Sequence, residues 1–259
     1  MKSNIDCFIR FSKLLVLCAA ICGISYWRSQ KIPTRFVSLG SLQKEPVQIP
    51  TTKTSFTMEA NGHRYQLNPT HDYEIWGLVV SNHDSDSWTD TSHESWNDYI
   101  NTKDICVIWG TNILNPYLDK LNFRNGNWTC YVQTKSGDAW QKFQMDQMSN
   151  NHLIPANINI QKLIENSKVG DEIRIKGHLV NYSVDGGPYR NTSVSRADRE
   201  NGACEIIYVN EFETLARNNT FWIKVFALSK LLCVALLVAA ILSLFVAFYQ
   251  HTSTIESSS

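Results

Sequence analysis

A run of 19 residues without a charge, LLCVALLVAAILSLFVAFY from Leu231 to Tyr249, constrains this chain more than any other stretch. A lipid core offers no water to backbone N–H and C=O groups, so such a run crosses it as a helix, and about 20 apolar residues suffice. Water-soluble domains rarely carry a helix that is apolar on every side at a chain end. A second apolar stretch, Phe8 to Trp27, contains LLVLCAAICGISYW, with Lys2, Arg10 and Lys13 around its start and Arg28, Lys31 and Arg35 beyond it. Tyr26, Trp27 and Arg28 close it without a small-residue cleavage site, and Ile21 before Cys22 does not suit a lipoprotein signal. It reads as an uncleaved anchor.

The organisation follows. Residues 1–7 form a short basic tail, 8–27 a first span, and 28–60 a Ser/Thr/Pro/Lys linker without apolar periodicity. Residues 61–216 form one domain, 217–230 a basic juxtamembrane segment, 231–249 the second span and 250–259 a polar tail. Two spans put both termini on one side of the membrane and the domain on the other. Lys2, Arg10 and Lys13 favour a cytoplasmic N-terminus, whereas Arg28, Lys31, Arg35, Arg217, Lys224 and Lys230 pull the other way. The first helix usually dominates. The expectation is a bacterial-type cell-membrane protein (inner membrane if Gram-negative) with an extracytoplasmic domain and cytoplasmic termini.

Net charge sharpens this picture. The whole chain is neutral, yet Asn61 to Leu215 holds 13 Lys+Arg against 20 Asp+Glu, a net −7, and the remainder carries +7. An acidic domain is a poor partner for nucleic acid, whose binding rests on phosphate neutralisation. Basic ends beside apolar runs point to the membrane instead. The domain cysteines, Cys106, Cys130 and Cys204, are odd in number and lack CxxC spacing. They allow one disulfide and a free thiol outside the cytoplasm, or three thiols inside it.

Within the domain, YEIWGLVV (Tyr73–Val80) and KDICVIWG (Lys103–Gly110) read as strands, NWTCYVQT (Asn127–Thr134) as a third, and AWQKFQM as a hairpin arm beyond Ser136-Gly137. Asn157 or Asn159 caps a helix with Ile160, Leu163 and Ile164 on one face, and Gly170 ends it. DEIRIKGHLVNYS (Asp171–Ser183) and ACEIIYVNEFETL supply two more strands. In its β-β-β-α-β-β order, and in VGDEIRIKGHLVNYS after the helix, the segment Tyr73–Leu215 resembles the OB-fold, a five-stranded Greek-key barrel. The resemblance implies a mainly β domain with short helices (α+β), an OB-like barrel used for recognition; a helical insertion after strand one and a long loop before strand five depart from the minimal pattern.

Three constellations carry candidate chemistry. SNHDSDSWTDTSHESWND (residues 81–98) holds two histidines and many carboxylates. Thr91 and Glu94 fit a capping box for a helix reaching Asn101, which accounts for Glu94 and Asp98. His83, Asp86, Asp90 and His93 are the residues to hold a divalent metal ion, although their spacing fits no calcium loop and is not diagnostic of zinc. MSNNHL places His152 after a polar turn, where it would act as acid–base group or further ligand on meeting His83 or His93. YRNTSVSRADRENGACE offers Arg190, Ser193, Arg196 and Asn201 to an anionic group. Cys204 is a nucleophile if a histidine assists it, and otherwise a buried thiol or a disulfide partner of Cys130. No phosphate loop, dinucleotide turn, GxSxG or HExxH occurs. The expected function is a membrane-tethered binding module without catalytic activity, serving cell-envelope assembly or maintenance through another envelope or membrane protein. A metal-dependent hydrolase built on residues 83–98 is the alternative.

Overall fold

The computed structural model describes residues 2–85, 91–126, 128–196 and 204–256. The chain forms two compact units, Ile32–Asn218 and the paired ends Met1–Lys31 with Asn219–Ser259. In chain order the helices and strands are α1 (Lys2–Ser29), α2 (Leu39–Leu42), β1 (Val47–Pro50), β2 (Phe56–Ala60), β3 (His63–Asp84), α3 (Thr91–Ser95), β4 (Lys103–Ile108), β5 (Asn122–Asn125), β6 (Cys130–Gln133), α4 (Gly137–Gln141), β7 (Met148–Pro155), α5 (Ile158–Glu165), β8 (Asp171–Val184), β9 (Glu205–Arg217) and α6 (Thr220–Glu256).

Both α1 and α6 contain stretches long and apolar enough to cross a membrane, Ile5–Ser29 and Thr220–Gln250. They pack on each other. The Cys18 thiol donates to the Ser229 carbonyl at 3.3 Å, Tyr26 and Phe226 rings meet at 5.2 Å, and Asn219 Nδ2 donates to the Ser29 and Lys31 carbonyls. In a bilayer such bonds would carry weight, because apolar helices there gain little from the hydrophobic effect against one another.

The other unit is mixed α+β. A large sheet dominates it, and its strands β3, β4, β7, β9 and β8 pair in that order, with β8 returning to β3 to close a ring. Within the ring, β7–β9 is the parallel pair. All five strands send side chains to one apolar cluster, including Ile75 and Val79, Ile105 and Val107, Leu153, Ile173 and Ile175, and Ile207 and Val209. That cluster is the ring interior, and each of these side chains contributes roughly 1.5–3 kcal/mol by leaving water. The alternating period of two then turns Asp104 and Cys106 of β4, and Asn150 and His152 of β7, to the outer face.

Local signals explain the connections. The Asn157 side chain accepts from the Asn159 and Ile160 N–H groups, capping α5. At Gly177, where the β8–β9 register shifts, a Cβ would stand 2.0 Å from the Tyr208 carbonyl oxygen, so only glycine lets the two strands approach.

Several expectations change. The third ring strand is Met148–Pro155, while Cys130–Gln133 pairs with Asn122–Asn125 in a separate two-stranded sheet. AWQKFQM makes no hairpin arm: Ser136 caps the short helix α4 there. The helix begun at Thr91 ends at Ser95 instead of reaching Asn101. Residues 28–60 are not a bare linker, because β1 and β2 both pair with β3. Cys130 bonds to Cys106, not Cys204.

Candidate functional site: a buried histidine–carboxylate cluster under an aromatic face

On the outer face, pairing sets His83, Asp104 and His152 in one row across β3, β4 and β7. The segment after β3 folds back over that row. Tyr65 fixes it, donating its hydroxyl to the Asn97 carbonyl at 2.6 Å and accepting from the Tyr99 N–H at 3.2 Å. Asn97 takes a positive φ of 52° at the turn, a conformation asparagine tolerates better than most residues. This brings His93, Asp98 and Asn101 onto Asp104 and His152, and all five side chains are buried.

His152 Nδ1 lies 2.5 Å from Asp104 Oδ1. Burial pulls the imidazole pKa down, but the Asp104 charge and hydrogen bond outweigh it, with help from Cys204 and against Arg190, and lift it to about 9. Burial likewise opposes the Asp104 charge, and His152 overcomes it, holding this carboxyl below its ordinary value. Asp98 differs: burial dominates and raises its pKa against the pull of Arg190, His93 and His152. Arg190 Nη1 donates to Asp98 at 3.2 Å and to the Tyr182 hydroxyl at 3.1 Å, while Nη2 stands 3.1 Å from His152 Nε2. Its guanidinium stacks on Trp128 at 3.9 Å, and Trp128 in turn packs on His93 at 4.0 Å and meets Trp96 edge-on at 6.2 Å. Trp96 is 67% exposed. The result is an aromatic and cationic face above a closed polar interior.

His93, Asp104 and His152 offer ligand-type atoms within 4.8 Å of one another, a spacing that an ion can bridge. The Asn101 amide nitrogen stands among these atoms, 2.8 Å from Asp104 Oδ1, 3.2 Å from His93 Nε2 and 3.4 Å from His152 Nδ1. Its two hydrogens suit the carboxylate and His93, and its carbonyl accepts from the Leu153 N–H at 3.1 Å. In this arrangement the amide satisfies the donor atoms, and an ion would require Asn101 to leave.

Of the metal set expected from the sequence, His83 and His93 come together with ring centroids 6.1 Å apart, while Asp86 and Asp90 lie outside the described residues. The anion-binding set divides. Arg190 joins the outer cluster, whereas Arg196 pairs with Glu205 and donates to the Tyr73 hydroxyl at 2.9 Å, beside Trp109 of the ring interior. Burial lifts the Glu205 carboxyl to about 7 against the pull of Arg196. Ser193 is buried and donates to the Ser195 carbonyl, and Asn201 lies outside the described residues. Sequence reasoning missed Asp104 and Asn101. The signal available was Asp104 within KDICVIWG, a carboxylate in an otherwise apolar strand, which needs a buried partner.

Set against known protein families, characterised proteins and solved structures, the chain matches none.

Proposed function

We propose that this chain is a membrane-tethered interaction module whose β-rich unit lies outside the cytoplasm and binds another envelope or membrane protein. The observation that carries the binding reading is the Trp96–Trp128–Arg190 face. Tryptophan and arginine are the residues that most often anchor protein interfaces, and here Arg190 is already ordered by Asp98 and Tyr182, so less freedom is lost on binding. The Cys106–Cys130 disulfide supports the sidedness, because such bonds persist in oxidising compartments. The ring order β3-β4-β7-β9-β8, its parallel pair, and α5 between the third and fourth ring strands support an OB-type barrel, a scaffold used for recognition.

A photo-crosslinking residue at Trp96 of the full chain, in its native membrane, tests the reading. A discrete heavier adduct is expected, lost with Arg190→Ala and missing when the crosslinker replaces the exposed Glu211. Equal adducts from both positions, or none from Trp96, would refute it. Metal-dependent hydrolysis is the second reading, carried by the His93, Asp104 and His152 atoms within 4.8 Å. Elemental analysis decides it: a stoichiometric ion removed by chelator supports it, and a metal-free chain excludes it.

A further inference from the structure

The side chains around Trp128 are engaged with the protein itself: the Cys204 thiol donates to the Trp128 carbonyl at 3.0 Å, and Arg190 Nη1 donates to Asp98 and Tyr182. The opposite holds at a cleft of about 840 Å³ beside the small two-stranded sheet, lined by Lys120, Asn122, Gln133, Thr134, Lys135 and Trp140. The register of β5 and β6 sets Asn122 against Gln133 and Arg124 against Tyr131, so these four side chains share one face of the hairpin. From the other face Phe123 and Val132 pack into the apolar cluster that includes Cys106 and Phe143. The Cys106–Cys130 disulfide ties the hairpin to β4. Beyond β6, Ser136 caps α4, and α4 carries Trp140 to the cleft. The Trp140 ring is 51% exposed and lies within 22° of parallel to the Phe143 ring, with centroids 6.3 Å apart. The floor is rigid and the walls are wet.

The polar groups of this cleft have little to bind within the chain. Among the described residues, the side chains of Asn122, Gln133 and Lys135 make no hydrogen bond or ion pair, and Lys120 Nζ meets only the Tyr117 ring, at 4.7 Å. Thr134 is the exception: its hydroxyl donates to the Lys120 carbonyl at 2.9 Å and accepts from the Ser136 N–H at 3.0 Å, which fixes the wall between the two lysines. No carboxylate lines the cleft. The local charge is the reverse of the domain's, since residues 117–142 hold Lys120, Arg124, Lys135 and Lys142 against Asp119 and Asp138.

We propose that this cleft binds an acidic saccharide, a short chain of sugars bearing carboxylates. Its volume lies within the range of small-molecule sites, about 300–1,000 Å³. The electron-rich face of the Trp140 indole attracts the polarised C–H groups on the flat side of a sugar ring. The Asn122 and Gln133 amides each offer donors and an acceptor, which matches neighbouring hydroxyls that both give and take hydrogen bonds. Lys120 and Lys135 are compact positive charges for the carboxylates. An apolar ligand would strip water from these amides and ammonium groups without replacing it. A nucleic acid would carry its phosphates along a domain of net charge −7. Neither Trp96 nor Arg190 lines the cleft, so this site stands apart from the interaction face proposed above.

The test titrates the purified full chain in detergent with tetragalacturonate, neutral maltotetraose and an oligothymidylate, read by calorimetry. Tetragalacturonate should bind roughly tenfold or more tighter than maltotetraose. Trp140→Ala should weaken that binding roughly tenfold, and Lys120→Gln combined with Lys135→Gln should erase the preference for the charged sugar. These side chains are exposed, so the variants should keep the parent melting temperature. A footprint on the unmodified chain needs no variant: tetragalacturonate should slow acetylation of Lys120 and Lys135 and leave the half-exposed Lys176 unchanged. A chain that does not bind tetragalacturonate, that binds it equally well as Trp140→Ala, or whose Lys176 is protected as much as Lys135 overturns the proposal. Equal affinity for maltotetraose overturns the acidic specificity, and tighter binding of the oligothymidylate overturns the saccharide class. The Trp96 cross-link persists in Trp140→Ala, so the two proposals can fail separately.

Discussion

Replacing Asp104 with Asn preserves the shape of the buried pair and removes its charge, which turns the His152 contact into a measurable dependence on pH. The pKa of His152 rises from 6.5 to about 9 on folding, which at about 1.36 kcal/mol per unit amounts to about 3 kcal/mol. The sign follows from linkage. A raised imidazole pKa stabilises fully below 6.5, and this contribution is lost as pH climbs through about 9. Asp104, held below 3.8, contributes above that value and loses its contribution as pH falls through its depressed folded pKa. The pair therefore stabilises most between about pH 4 and 6.5. Asparagine can still accept from Asn101 and from His152 Nδ1–H, but the imidazolium loses its counter-charge, and burial with Arg190 then drives the ring neutral. Urea unfolding of residues 32–218 with the disulfide intact, followed by tryptophan fluorescence, should show the variant about 3 kcal/mol less stable at pH 6. The gap should shrink toward zero by pH 10. A gap that is constant with pH, or that widens toward alkali, would falsify the assignment of an imidazolium to His152.

Other outcomes follow from the same geometry. Converting Cys106 and Cys130 to Ser opens a loop with a sequence separation of 24 and should cost about 3–4 kcal/mol in urea unfolding. Alkylation of the chain in intact cells before lysis should spare both cysteines until a reductant is added; prompt labelling would place the domain in a reducing compartment. Asn101→Asp should replace the central amide with a carboxylate beside His93, Asp104 and His152, so that the variant takes up zinc and melts higher with it; a variant indifferent to zinc would refute the geometry of the cluster. Gly177→Ala should lower the melting temperature by roughly 8 °C or more, because the added Cβ meets backbone and the strands must part; a change within error would show that β8 and β9 are farther apart.

Four of the five ring strands are legible in the sequence because they alternate or run apolar. Tyr73–Val80 lies within β3, Lys103–Gly110 covers β4, Asp171–Ser183 matches β8, and the final apolar run is β9. MSNNHLIP hid the fifth. Ser149, Asn150, Asn151 and His152 disfavour a strand by propensity, and only tertiary partners make one of them. Asn151 Nδ2 donates to the Ile105 carbonyl, Asn150 receives a bond from Asn125, and His152 finds Asp104. CYVQ reads as a central strand because its alternation is real, yet its ladder joins only Asn122–Asn125. The cluster was half visible for the same reason. His93, His152, Cys204 and Arg190 stand out as residue types, whereas their convergence depends on register between strands and on a fold-back turn at Asn97. No spacing rule along the chain encodes either.

Between α1 and α6 lie 190 residues, so at typical synthesis rates of about 5–20 residues per second α1 waits on the order of 10–40 s for α6. β9 ends at Arg217, and α6 begins at Thr220. The strand that completes the ring therefore leaves the ribosome almost together with the start of the second long apolar helix. Until that moment β7 and β8 present open edges, the kind of surface that recruits stray strands. Sealing the ring and releasing the second apolar helix fall almost together in the life of the nascent chain, and a pause in synthesis just before residue 205 would leave both open edges exposed.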